Sequence, residues 1–288
     1  MTHIRTIDCR SAEAGRELVS SLRETGFAVL RRHPIPHALL QRLHDDWIGF
    51  FHSDHRTDFL FDSTSTQSTR GGYYPLDVSE TAVTHTTRDI KEFFHVVPGQ
   101  ELPPECEQAI LEFRDLGFAF GNTLLEWLQE YTPDSITAAL PEPFPGMLCI
   151  HASLLRILHY PPLRGSEDDE AVRAAAHEDI NLITILPVSE QPGLQVKDSN
   201  GVWIDVSGNR GDIVINSGDM LHEATAGYFP SATHRVINPR GGDENISRIS
   251  VPLFLTPRLE VRLSDRYTSG SYLDERLKLI RRDESVSR

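Results

Sequence analysis

His177, Glu178 and Asp179 stand together in the stretch AAAHEDINLITILP, and a further histidine, His234, lies downstream. Two imidazoles and one carboxylate on one side of a divalent iron leave the opposite coordination positions open for oxygen and a second ligand. On a strand, side chains at i and i+2 point to the same face, with Cα atoms roughly 7 Å apart. On a helix the same pair diverges by about 200°. An HxD pair is therefore a metal half-site on a strand and a poor one on a helix, and the apolar, isoleucine-rich run Ile180, Leu182, Ile183, Ile185, Leu186 reads as a strand.

Arg248-Ile-Ser250 repeats that spacing. A guanidinium beside a hydroxyl suits a carboxylate, because the planar fork donates two parallel hydrogen bonds. With thirteen histidines in the chain, one histidine near an acid carries little weight. The joint order HxD, strand histidine, RxS is what points to chemistry.

These residues need a scaffold. The first third reads as an amphipathic helix around Leu18, Val19 and Leu22, a strand over 26–30, and a second helix from Ile35 to Phe51. Residues 62–75 (DSTSTQSTRGGYYP) read as a polar loop. A long helix is expected from Glu105 to Tyr131. Beyond residue 150, short apolar runs recur at 154–160, 180–186, 193–196, 202–206, 212–215, 233–237 and 249–255, with turn signals such as Ser207-Gly-Asn-Arg-Gly211 between them. Many short strands between turns indicate a sandwich or closed barrel. Leu273 to Arg282 reads as a terminal amphipathic helix. The expected fold is α+β with a mainly β core, a jelly roll carrying a helical N-terminal layer and a C-terminal helix. Its expected divisions, within one folding unit, are 1–105 (mixed N-terminal region), 106–149 (long helix and connector), 150–260 (jelly-roll core) and 261–288 (C-terminal helix).

The 288 residues, 39% hydrophobic and 24% charged, suffice for a sizeable core. No window is apolar enough for a membrane span, and the first residues lack a signal-peptide stretch. A net charge of −14 with no basic stripe argues against nucleic acid. It also repels small anions at long range, so an acidic cosubstrate needs a local arginine to hold it. Cys9, Cys106 and Cys149 are scattered and odd in number, which suggests free thiols and a cytoplasmic location.

Here a family resemblance enters. GFAVLRRHPIP, GGYYPLDVSE, RDIKEFF, LRILHYPP, HEDINLITIL, GDMLHEATAGYFPSATHRV and RISVPLFL resemble the isopenicillin N synthase-like branch of the iron(II)- and 2-oxoglutarate-dependent oxygenases, over residues 26 to about 255. The resemblance implies a double-stranded β-helix with His177, Asp179 and His234 as iron ligands. It implies that Arg248 and Ser250, assisted by Tyr160, grip the distal carboxylate of 2-oxoglutarate. His222 is the rival for the third ligand position; His234 is preferred because Arg235-Val236 follows it in the family pattern. Two departures stand out. The spacing from His234 to Arg248 is wider than in relatives, with the surplus in the turn-rich NPRGGDEN segment, and Arg240 is closer but lacks a serine partner. Leu158 stands where some relatives carry an asparagine.

The implied reaction binds 2-oxoglutarate and O2 at Fe(II), releases succinate and CO2, and hydroxylates an unactivated C–H bond of a small-molecule substrate. An aspartate at 179 favours hydroxylation over halogenation, while desaturation or ring closure stays open. Candidate substrate contacts are Arg70, Tyr73, Tyr74, Phe93 and Asn181; Phe93-Phe94 could equally be core aromatics, and Asn181 a structural polar residue. Lys91-Glu92 is expected to be a structural ion pair or a helix-surface pair. The rivals are an oxidase of the same fold that uses no 2-oxoglutarate, a non-catalytic jelly-roll metal- or 2-oxoglutarate-binding protein, and a zinc hydrolase.

Overall fold

The computed structural model describes residues 3–61, 71–78, 89–167, 171–240 and 244–286. The elements in chain order are β1 (Thr6–Asp8), α1 (Ala14–Thr25), β2 (Phe27–Arg31), α2 (His37–His52), β3 (Gly72–Tyr74), β4 (Glu92–Val96), α3 (Pro104–Tyr131) and α4 (Asp134–Thr137). There follow β5 (Leu154–Tyr160), β6 (Ala174–His177), β7 (Ile183–Pro187), β8 (Leu194–Lys197), β9 (Trp203–Asp205) and β10 (Ile213–Ser217). The chain closes with α5 (Asp219–Ala224), β11 (His234–Val236), β12 (Arg248–Ser250), β13 (Leu253–Leu255) and α6 (Ser269–Val286).

Alternation along β5 explains the layering. Leu155 and Ile157 join a large apolar cluster with helix residues such as Trp47, Phe50, Phe113 and Leu124. Leu158 and Tyr160 join a smaller cluster with Phe93, Val196, Val214 and Val236. A period of two thus sends odd positions to the helices and even positions to the barrel interior. Among the described residues the larger sheet has nine strands, in the order β1-β2-β10-β7-β13-β5-β4-β3 with β12 also on β5. The smaller runs β6-β11-β8-β9. The interior cluster draws from both sheets, as a jelly roll requires.

Strands β1 to β4 of the N-terminal region are part of the larger sheet, whose far face α1, α2 and α3 cover. Helix α3 approaches closely because Gly117 and Gly121 face β13: an added Cβ would lie 2.7 Å from Leu253 and 2.3 Å from Leu255. No helix among the described residues is long and apolar enough to cross a membrane.

Several expectations need correction. The HED segment is no strand interior: β6 ends at His177, and β7 begins at Ile183 in the other sheet. Residues 178–182 cross between sheets, so the apolar run after Asp179 belongs to two elements. Residues 72–74, assigned to a polar loop, form β3 and pair with β4. The run 249–255 divides into β12 and β13 around Pro252. His222, the rival for the third ligand position, sits on the short helix α5 and not on a strand.

Candidate metal centre

His177 and His234 are directly paired across β6 and β11. Immediately beyond them a register shift, Val236 opposite Ala174, bulges β6. Each ring places Nδ1 against a backbone carbonyl, Ala175 O at 2.8 Å and Ala232 O at 2.9 Å. An Nδ1–H donating to carbonyl oxygen leaves the Nε2 lone pair free for a metal. Those Nε2 atoms lie 3.9 Å (His177) and 3.7 Å (His234) from Asp179 Oδ1. Phe27 packs edge-on against the His234 ring at 5.5 Å between centroids.

Asp179 is positioned from the opposite sheet. Its Oδ2 accepts from Thr184 Oγ1 at 2.5 Å and from Asn216 Nδ2 at 2.8 Å. Thr184 and Asn216 are themselves register partners across β7 and β10. With Oδ2 held, Oδ1 is left facing the imidazoles. Burial would raise the Asp179 carboxyl, but the two histidines and the Thr184 and Asn216 hydrogen bonds outweigh it and hold it below its ordinary range. Desolvation, reinforced by His234 and opposed by Asp179, keeps the His177 ring below the usual histidine range, hence neutral near pH 7. Among the described residues, these three form the one cluster of histidine, cysteine, aspartate or glutamate whose ligand atoms converge, all within 4.8 Å. Two neutral nitrogen donors and one anionic oxygen donor suit a divalent iron.

Beyond this cluster, β12 pairs with β5 so that Arg248 lies opposite Tyr160 and Ser250 opposite Leu158. All four side chains are buried. Arg248 Nη1 donates to Ser250 Oγ at 2.8 Å, and its guanidinium carbon lies 5.7 Å from the Tyr160 ring centroid. Burial, with Tyr160 opposing and Arg173 reinforcing, pushes Arg248 down to about 10, so it stays charged at neutral pH. Burial raises the Tyr160 phenol, which therefore keeps its proton.

The candidate substrate residues separate by face. Phe93 and Tyr74 are register partners on the barrel side, stacked at 4.6 Å, and Tyr74 stacks on Phe61 at 4.7 Å. Tyr73 points the other way into the helix-facing core, where its hydroxyl donates to Glu92 Oε2 and accepts from Arg56 Nε at 3.3 Å. It cannot line the barrel, because adjacent strand residues face opposite sides. Phe94 shares that outer face against Trp47 and Phe50. Asn181 is fully buried and donates to Thr184 Oγ1 at 2.8 Å, supporting Asp179 indirectly instead of lining a pocket. Arg70 lies outside the described residues.

The expected Lys91-Glu92 pair does not form. Lys91 bonds Asp89 Oδ2 at 2.7 Å, and Glu92 accepts from His159 Nδ1 at 2.6 Å on the opposite face. His222 Nδ1 is against Phe229 O at 3.1 Å. His151 is exposed, and Arg240 is exposed where Arg248 is buried. Sequence reasoning missed Thr184, Asn216, Arg156 and Arg173. Arg156 was the most readable, since Arg156, Leu158 and Tyr160 share one face of β5; its Nε donates to His95 Nε2 at 2.7 Å above the Phe93 ring.

Comparison with known proteins agrees with this geometry. The 2OG-Fe(II) oxygenase superfamily model matches residues 151–257, and the non-haem dioxygenase N-terminal model matches 4–111. A crystal structure from Shewanella oneidensis, of a protein described as an oxygenase, is 48% identical and superposes with a TM-score of 0.85 over 96% of this chain and 97% of that one. Clavatol oxidase claD of Penicillium crustosum is 28% identical over 92% of this chain and 87% of its own length. The fold is shared with a full-length Neurospora crassa protein solved in complex with 2-oxoglutarate, at 22% identity, a TM-score of 0.75 and 96% coverage of both chains. The chain belongs to the iron(II)- and 2-oxoglutarate-dependent oxygenases, oxidoreductases whose cofactor is Fe(II) and whose cosubstrates are 2-oxoglutarate and O2.

Proposed function

We propose that His177, Asp179 and His234 hold the iron, that Arg248, Ser250 and Tyr160 hold the distal carboxylate of 2-oxoglutarate, and that the enzyme hydroxylates an unactivated C–H bond of a small metabolite. The observation that carries this is the convergence of two Nε2 atoms and Asp179 Oδ1 on one point, with Asp179 and His234 buried and His177 on the exposed side. When bound, iron and 2-oxoglutarate supply oxidative decarboxylation, with succinate and CO2 as products and hydrogen abstraction from the substrate.

The chain's own residues orient and exclude. The backbone carbonyls of Ala175 and Ala232 fix both ring tautomers, and Thr184 with Asn216 fixes the carboxylate rotamer. Arg248 offers a charged, desolvated fork with Ser250 beside it, where a carboxylate is held in one orientation. Tyr74 and Phe93 provide a flat apolar wall on the barrel side, suited to substrate, and the interior cluster keeps water from the reacting atoms. Three cysteines without disulfides fit a reducing, cytoplasmic compartment.

The test is a metabolite screen with purified protein, Fe(II), 2-oxoglutarate and O2, read as succinate. Substrate-dependent succinate with a product heavier by one oxygen supports the reading. Oxygen uptake without succinate would reassign the chain to the 2-oxoglutarate-independent oxidases. Binding of 2-oxoglutarate without turnover of any substrate would favour a sensor.

A further inference from the structure

Arg173 is the largest charged side chain sealed inside the protein, only 1% exposed, and the assignments above give it no part. It precedes β6 directly, at the edge of the smaller sheet. Its backbone N–H donates to Asn238 Oδ1 at 3.1 Å, and Asn238 Nδ2 donates to Ala171 O at 2.7 Å, so the connection after β11 clamps its backbone. Its Nη2 donates to the carbonyl of Ile246, two residues before Arg248, at 3.0 Å. That contact brings two guanidinium-bearing segments, one from each sheet, to the same end of the barrel beside Tyr160.

The charge balance there is unusual. Arg173 and Arg248 are both buried, and among the described residues neither forms an ion pair with a carboxylate. The Nε of each is sealed from solvent with no hydrogen-bond partner. Burial lowers both below the ordinary arginine range, and Arg248 feels Arg173 as a repelling like charge. Two uncompensated cations in one desolvated region are costly, and breaking even requires an anion with matching acceptors. Tyr160, a neutral phenol, cannot be that counter-charge.

We propose that Arg173 is a second guanidinium of the pocket for the distal carboxylate of 2-oxoglutarate, so that Arg248 from the larger sheet and Arg173 from the smaller grip it together. This rests on the placement of 2-oxoglutarate against Arg248 argued above. Each carboxylate oxygen can accept more than one hydrogen bond, which lets two planar forks share it. The consequence is selectivity. A ketoacid lacking the far carboxylate leaves both cations unpaired, whereas a dicarboxylate brings one anionic charge and acceptors for both forks and ties the two segments together.

The test measures equilibrium binding of 2-oxoglutarate and of 2-oxovalerate, which carries a methyl group in place of the distal carboxylate, to the full-length protein loaded with Mn(II). Arg173→Met should weaken 2-oxoglutarate at least about tenfold, the loss expected for a charge-assisted hydrogen bond, and leave 2-oxovalerate within about threefold. In an Arg248→Met background the same change should cost less than it does alone, because the two residues act on one group. The melting temperature of the ligand-free protein should not fall, since Met removes an unpaired buried cation. Arg173→Lys keeps the charge without the fork, and should lie between wild type and Met for 2-oxoglutarate alone. Unchanged 2-oxoglutarate affinity in both variants overturns the proposal while leaving the proposed function intact. An equal loss for both ketoacids with a lowered melting temperature overturns it in favour of a structural arginine. A wild-type protein that binds neither ketoacid overturns the Arg248 assignment as well.

Discussion

His177 and His234 face each other as register partners across β6 and β11, with ring centroids 4.3 Å apart. The third candidate donor, Asp179, comes from the chain after it has left β6 for the other sheet. The candidate centre is therefore shared between sheets. Two rings are set by pairing in the smaller sheet, and the carboxylate by hydrogen bonds from β7 and β10 of the larger. A one-residue slip of β11 would turn His234 away from the interior.

Thr184→Val tests the division of labour at Asp179. The isosteric change removes the Oγ1–H donor to Oδ2 and leaves Asn216 alone to hold the carboxylate. We expect Mn(II) or Co(II) affinity to fall about 10- to 100-fold, the usual cost of losing a group that orients a metal ligand. Metal titration followed by calorimetry checks it; an affinity within about twofold of wild type would remove Thr184 from the site.

Gly218 bears on the same segment through space alone. An added Cβ would lie 2.2 Å from Asn181 Oδ1, 2.5 Å from Asn181 O and 2.7 Å from Asp179 O. Because two of these atoms are backbone, the segment must move. Gly218→Ala should cost about 1–3 kcal/mol of stability by overpacking and weaken metal binding along with it. Urea denaturation and metal titration of the same variant read both effects.

On the helix-facing side of the larger sheet, Glu92 accepts from His159 Nδ1 and from the Tyr73 hydroxyl, and His159 Nε2 is 2.9 Å from Ser247 Oγ. Glu92→Ala strips the acceptor from two buried donors and should cost about 3 kcal/mol. The double change Glu92→Leu with His159→Phe should recover part of that loss, because the polar groups leave together. Denaturation midpoints of the two variants distinguish a buried network from simple packing.

The thiols give a pH-dependent prediction. Burial pushes Cys9 up to about 11 and Cys106 higher still. A raised thiol pKa means the reactive thiolate is scarce below it, so at about pH 8 neither should react with a disulfide reagent in the folded protein. Cys9 labelling should quicken about tenfold per pH unit from roughly 8 towards 10, and both should label at once in urea. Peptide mass spectrometry reads each site; rapid native labelling of Cys106 in that mildly alkaline range would mean that its packing around α3 opens readily.

Local sequence determined which residues could be donors. The spacing of His177 and Asp179, the strand histidine at 234, the RxS pair and the apolar period along β5 and α3 are properties of neighbours in the chain, and they pointed to a jelly roll and a ferrous centre. Register and crossover decided the rest. Tyr73 turns to the helix-facing core and Tyr74 to the barrel side because β3 pairs with β4 in one phase. Thr184 and Asn216 reach Asp179 because β7 and β10 align, and Arg173 nears Arg248 because two sheets close on each other. Such contacts join residues far apart in the chain, and burial of apolar surface between sheets selects them, so no local spacing records them.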